Sequence, residues 1–285
     1  MQIAFCPLFS GSSGNALLVT CGHTALLVDA GVSAVRVIKE CAASGVDPAR
    51  LSAILVTHEH TDHINGVGVL SRKLDLPIYA PQATWEAMAG KLGEVSEKNR
   101  RYVEPGTDFY MGDMNIYSFR TPHDAADPVC YCFTSGGCKL TVLTDIGCLE
   151  SAWLHAAEGS GTVLLEANHD RDMLKAGRYP YELKRRILGK KGHLSNEDAA
   201  RAAVTLAQGG VRDVILGHLS KENNFPQLAY ETVAGALREA GFVPGEDVAL
   251  SVARRDGRSQ WHTISDFGAE LPWAQGAAFS GGAAR

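Results

Sequence analysis

Three of the chain's ten histidines and a carboxylate fall within six residues of Thr57-His58-Glu59-His60-Thr61-Asp62-His63. They follow Leu51–Val56, an apolar run that reads as a buried strand, so they stand where the chain leaves a sheet. On extended backbone His58 and His60 project to one side, and both imidazoles can reach one ion. Asp62 and His63 then turn into the next helix and can serve a second ion beside it. Imidazole with carboxylate suits Zn²⁺, and a mixed nitrogen and oxygen set also accepts Mn²⁺ or Fe²⁺. A solvated, histidine-rich loop is the alternative, but it leaves the strand-end placement and the spacing unexplained.

Three later positions repeat that placement: His123 in Arg120-Thr121-Pro122-His123, Asp145 in Val142-Leu143-Thr144-Asp145, and His218 in Ile215-Leu216-Gly217-His218. Singly, each reads more simply as a cap or turn residue. A rigid sheet, however, can bring several strand ends to one edge, and the order of the whole set is hard to obtain by accident.

The elements that must position these residues are legible in outline. Short apolar runs at 16–20 and 25–29 flank a hairpin signal at Cys21-Gly22-His23. Helical spacing covers 32–44, 66–74 and 82–92. Strands are predicted at 77–80, 115–121, 129–134, 139–144, 162–166, 211–216 and 247–253. A helix is predicted at 196–208, with Ser195 as its N-cap and Asp198 completing a capping-box pattern, and another at 226–240. Strands interleaved with helices over the whole length predict one α/β domain, 1–267, followed by a loose Gly/Ala/Ser-rich tail, 268–285.

Composition sets the outer bounds. The 285 residues carry 45% hydrophobic and 21% charged side chains and a net charge of −5, which excludes a disordered, collagenous or coiled-coil chain. No apolar run suggests a membrane span. The N-terminus lacks the pattern of a secretory signal, and seven cysteines, an odd number, point to a reduced, cytoplasmic protein. Cys130, Cys132 and Cys138 contain no CxxC pair and read as core residues rather than a zinc site. The acidic balance disfavours coating nucleic acid through overall charge.

A second layer lies at 166–197, where Glu166-Ala167-Asn168-His169-Asp170 follows a strand. From 183 to 192 there are five basic residues, Lys184 and Arg185 among them, and no acidic one. That suits a polyanionic substrate, or equally a solvated helix face. His193 precedes the helix whose N-terminus, at Ser195 and Asn196, could hold an anion. There it could bind phosphate or give a proton to a leaving oxygen, or be a structural histidine. His169 divides between the same readings. Ser12, Ser13 and Asn15 lie in Ser10-Gly11-Ser12-Ser13-Gly14-Asn15, a turn whose backbone could approach a phosphate or simply flex.

The HxHxDH cluster followed by His123, Asp145 and His218 resembles the metallo-β-lactamase superfamily. The resemblance implies a four-layer αβ/βα sandwich with a binuclear site at one edge. By it, His58, His60 and His123 hold one divalent ion, Asp62, His63 and His218 the other, and Asp145 bridges them. Asp29 looks like the family's carboxylate that orients a ligand histidine, although an ordinary turn Asp would read the same. His at 60 argues against the flavodiiron branch, Asp rather than Cys at the later position against true β-lactamases, and the short span from Asp145 to His218 against β-CASP nucleases.

Gly11-Ser12-Ser13-Gly14-Asn15-Ala16, Glu166-Ala167-Asn168-His169-Asp170 and Gly192-His193-Leu194-Ser195-Asn196 are similar to the YycJ/WalJ branch from about residue 3 to 255. That implies a DNA-processing hydrolase with 5′-to-3′ exonuclease activity. Two ions would activate a water as hydroxide for in-line attack on phosphorus, with Asp62 orienting or deprotonating it and His193 acting at the leaving group. The rivals are a thioester hydrolase of the glyoxalase II kind and a catalytically silent, metal-containing nucleic-acid-binding protein.

Overall fold

The computed structural model describes residues 2–264. The expected tail, 268–285, lies outside them. Among the described residues the strands form two sheets of seven, each antiparallel on one side and parallel on the other.

The first sheet holds β1 (Ile3–Phe9), β2 (Ala16–Cys21), β3 (Thr24–Val28), β4 (Ala53–Leu55), β5 (Ile78–Ala80) and β6 (Arg100–Tyr102) in sequence order, with β14 (His262–Thr263) beside β1. The second runs in the order β13 (Ala249–Val252), β12 (Asp213–Gly217), β11 (Thr162–Glu166), β10 (Cys138–Leu143), β9 (Val129–Ser135), β8 (Met114–Arg120), β7 (Asp108–Met111). Crossover helices α1 (Ala34–Ala43), α2 (Thr61–Ile64), α3 (Val67–Leu74) and α4 (Gln82–Met88) belong to the first sheet. The second carries α5 (Ser151–Ala157), α6 (Arg171–Ala176), α7 (Tyr181–Ile187), α8 (Asn196–Gln208) and α9 (Pro226–Glu239).

Strand periodicity creates the layers. In β1, Ile3 and Phe5 face the other sheet while Cys6 and Leu8 join the cluster that includes Val37 of α1. β2 divides likewise, Leu17 and Val19 inward, Ala16 and Leu18 toward the helices. Strands buried on both faces read as continuous apolar runs, because each side chain has a hydrophobic destination. The result is the expected αβ/βα sandwich: two helix-on-sheet clusters outside and a sheet-on-sheet core between them.

Helix α8 has the predicted bounds, and Ser195 Oγ accepts from Asp198 N at 3.1 Å. Arg171 also bonds both Ser195 Oγ and the Asp198 carboxylate. Ser195→Ala should therefore lower unfolding free energy by about 1–2 kcal/mol, measured by urea titration. Among the described residues no helix is long and apolar enough to cross a membrane. Six of the seven cysteines are buried.

Candidate metal centre and active site

Strands β3, β4 and β5 are parallel, as are β10, β11, β12 and β13. Their C-terminal ends carry Asp29, the 58–63 loop, Asp145, Glu166 and His218. Antiparallel pairing through β9 gives β8 the direction of β10 and delivers His123 to the same edge. Backbone bonds lace the loops together: Asn15 N donates to Asp62 O at 2.8 Å and Ala30 N to His63 O at 2.8 Å. A Cβ on Gly31 would stand 1.6 Å from Asp62 O, so only glycine permits this approach.

The seven expected ligand residues converge. His58 Nε2 lies 3.0 Å from His60 Nδ1, and His123 Nε2 lies 3.2 Å from that same atom. Beside this trio, His63 Nε2 is 3.1 Å from Asp145 Oδ2 and 3.6 Å from Asp62 Oδ2, and His218 Nε2 is 3.4 Å from Asp145 Oδ1. Asp145 stands between the groups, its Oδ1 3.7 Å from His123 Nε2.

Three of the rings are aimed from behind. His63 Nδ1 bonds Asp29 Oδ2 at 2.7 Å, and Asp29 Oδ1 accepts from Thr57 N at 2.8 Å. His123 Nδ1 donates to Gly192 O at 3.0 Å, and His218 Nδ1 to Asn15 Oδ1 at 3.1 Å. These bonds set the tautomers and leave Nε2 facing the cluster.

Burial and the surrounding imidazoles hold His58 well below its ordinary pKa. His63 is driven well above it, because Asp145, Asp29 and Asp62 together outweigh burial. Asp145 is held well below the carboxylate range against burial by His218, His63 and His58. Two buried atoms aimed into the cluster, His218 Nε2 and Asp145 Oδ2, have no partner of acceptable hydrogen-bond geometry. Imidazole nitrogens within contact distance of one another and unsatisfied buried donor atoms fit divalent metal ions. The candidate metal-holding groups contain no cysteine among the described residues.

Asp29, Asp145 and His218 all have left-handed backbone, φ 58°, 58° and 55°. That conformation is costly for residues with a Cβ and marks sites where geometry is imposed by the surrounding fold. It bends each chain sharply as it leaves its strand.

The cluster floors a cleft of about 360 Å³ whose walls include Ser12, Tyr179, Arg186, Asn168 and His193. His193 Nδ1 bonds Glu166 Oε1 at 2.7 Å. Glu166 is fully buried, and its other oxygen accepts from Ile146 N at 2.7 Å. With both oxygens engaged, Glu166 acts by holding His193. Burial lowers the affinity of His193 for a proton, but Glu166, Asp145 and Asp62 prevail and push its pKa to about 9. Arg186 forks onto Asp124, with Nη2 3.0 Å from Oδ1 and Nε bonded to Oδ2.

Other expected substrate contacts lie elsewhere. Asn15 is buried between two of the histidines, its Oδ1 3.1 Å from His218 Nδ1 and its Nδ2 3.0 Å from His63 Nε2. Ser13 is exposed and does not line the cleft, nor do Lys184, whose Nζ bonds Lys175 O, and the exposed Arg185. Ser195 and the Asp198 carboxylate fill the α8 N-terminus from within, so it presents no anion site, and Asn196 is buried in a paired amide contact with Asn224. Glu166, Asp124, Arg186, Asn168 and Tyr179 were not among the expected site residues. Glu166 obeys the strand-end rule that singled out Asp145 and was reachable by it.

His169 is 1% exposed, and neither ring nitrogen has a partner. Burial, then His193 and Arg171, pull its pKa from 6.5 to about 4. The unfolded chain takes up this proton near pH 6.5 and the folded chain only near 4, so stability is full above pH 6.5 and falls as acid is added below it. The loss should reach about 2–3 kcal/mol at pH 4.5. Urea unfolding at pH 7 and pH 4.5 should show it, and His169→Leu should be less acid-sensitive.

A family model described as "Beta-lactamase superfamily domain" matches residues 24–219. The exodeoxyribonuclease YycJ of Bacillus anthracis is 41% identical over 86% of this chain and 93% of its own. The exodeoxyribonuclease WalJ of Streptococcus pneumoniae strain D39 is 41% identical over 84% of this chain and 90% of its own. Among solved structures, the metallo-β-lactamase-fold protein YhfI of Bacillus subtilis superposes with a TM-score of 0.69 at 18% identity, over 92% of this chain and 100% of that one, a likeness of fold. Sequence, fold and cluster agree: the chain belongs to the metallo-β-lactamase superfamily and is similar, over most of its length, to its YycJ/WalJ members.

Proposed function

We propose that the protein is a metal-dependent phosphodiesterase that degrades DNA as a 5′-to-3′ exonuclease, with residues 1–267 as its catalytic domain. The observation that carries this reading is one cleft in which the histidine and aspartate cluster faces both the Glu166-anchored His193 and the Asp124-anchored Arg186. The names of the two 41%-identical relatives supply the substrate.

His58, His60 and His123 would hold one divalent ion and Asp62, His63 and His218 a second, with Asp145 shared. Zn²⁺ suits the donor set best, and Mn²⁺ or Fe²⁺ is compatible. Bound there, such ions supply Lewis acidity toward the phosphate and lower the pKa of a nearby water.

The chain's own residues do the rest. Asp62, 28% exposed at the cleft, orients the attacking water. His193, on which Glu166 favours the proton, gives it to the leaving oxygen, and Glu166 fixes its ring. Arg186, oriented by Asp124 through Nε and Nη2, offers its remaining N–H groups to non-bridging phosphate oxygens. Asn168 Nδ2 bonds Ser12 Oγ at 3.1 Å and His218 O at 3.0 Å, tying the Gly/Ser turn to the cleft wall.

Digestion of end-labelled DNA and RNA oligonucleotides in Zn²⁺ and in Mn²⁺, beside a thioester substrate, tests the proposal. Mononucleotides released progressively from the 5′ end of DNA are expected. Thioester hydrolysis without phosphodiester cleavage would overturn it.

A further inference from the structure

The next strand along the same sheet edge leads to a second basic feature. β13 is parallel to β12, so the loop after it leaves on the side where His218 stands. That loop reads Arg254-Arg255-Asp256-Gly257-Arg258. Arg255 packs on the Gly11 turn so closely that a Cβ on Gly11 would lie 2.6 Å from its Cγ. Ser12, the next residue in that turn, lines the catalytic cleft. The basic loop is therefore continuous with the cleft rim.

The same loop walls a polar cavity of about 670 Å³, larger than the cleft, lined by Arg254, Arg258, Ser251, Gln260 and Glu40. Arg254 is exposed, with no side-chain partner among the described residues. Among the described residues Arg258 has only a distant ion pair, 4.0 Å from Glu40, which leaves most of its donors unspent there. Ser251 Oγ is buried without a hydrogen-bond partner. Arg36, over the Phe9 ring at 4.6 Å, adds positive charge just before the Gly11 turn. Underused guanidinium donors and an unsatisfied hydroxyl in one open cavity call for an anion with several acceptor oxygens. Glu40 opposes this, but the arginines outnumber it.

We propose that this cavity binds the phosphodiester backbone of single-stranded DNA, holding the stretch of strand that runs past the Gly11 turn from the cleft. This rests on the phosphodiesterase reading above. It makes two arginines remote from the reacting phosphate determinants of polynucleotide affinity.

The test compares the full chain with an Arg254→Glu/Arg258→Glu double variant, and with Arg→Gln at both positions to separate lost from reversed charge. Substrates are a roughly 20-nucleotide single strand and a small p-nitrophenyl phosphodiester, too short to reach the cavity. KM for the long strand should rise at least about tenfold. Its log–log salt slope should flatten by about 1.4, two contacts at roughly 0.7 each. Hydrolysis of the small ester should be unchanged. Equal KM and salt slope in parent and variants would overturn the inference while leaving the nuclease reading intact. If the parent hydrolyses neither substrate, the nuclease reading fails by itself. Equilibrium binding of the labelled strand then decides the cavity's role: weaker binding by the variants upholds it, equal binding overturns it. Polyglutamate of equal length binding as tightly as DNA would assign the cavity to acidic peptides and overturn it.

Discussion

Asp62→Ala should lower kcat by at least about a thousandfold, the scale of losing a positioned group that orients or deprotonates the nucleophile together with a metal-facing carboxylate. The fold should hardly register the change. The side chain is 28% exposed, and its Oδ2 stands 3.6 Å from His63 Nε2. The lacing of this loop runs instead through backbone, with Asp62 O accepting from Asn15 N. Urea unfolding should therefore shift by no more than about 0.5 kcal/mol. Turnover of a 5′-phosphorylated oligonucleotide, with metal content checked by elemental analysis, gives the readout. A metal-loaded variant with full activity would remove Asp62 from the reaction.

The second large effect is expected for Glu166→Gln. The substitution keeps the shape of the side chain and an acceptor oxygen but removes the negative charge that sustains a protonated His193. His193 can then remain in place as a neutral ring, which limits the structural cost relative to leaving a buried charge unpaired. Proton donation to the departing oxygen should suffer by about a hundredfold or more. The leaving group provides the diagnostic. A DNA 3′-oxygen needs the proton and p-nitrophenolate does not, so the variant should lose far more on DNA than on a p-nitrophenyl ester. Parallel losses on both would mean that Glu166 only props up the cleft wall.

The sequence exposed those parts of the site where residue type, spacing and strand end coincide. His58 through His63 are contiguous, and His123, Asp145 and His218 each follow an apolar run that had to be a strand. The layers were legible because strands buried on both faces write long apolar words. The missing pieces lack such a signature. β6 is Arg100-Arg101-Tyr102, exposed throughout, and exists because β5 offers it an unpaired edge. α6 and α7 are too short for a helical period to emerge, yet α7 and the bend before it carry Arg186 and Tyr179 to the cleft. The Arg186–Asp124 pair joins positions 62 apart in sequence, which no local pattern announces. Ser195 and Asn196 misled for a related reason: a helix N-terminus looks like an anion site until its own cap and a neighbouring arginine are found to occupy it.

The left-handed turns at Asp29, Asp145 and His218 set a limit on redesign. Glycine would relieve roughly 1 kcal/mol of backbone cost at each, but at Asp29 it would also strip the acceptor from Thr57 N and His63 Nδ1, so a screen rewarding heat tolerance alone, without a requirement for turnover, would be drawn toward the Asp145 and His218 codons. Variants recovered there should be sturdier or unchanged, and inert. Directed evolution of this scaffold therefore needs activity in the selection from its first round.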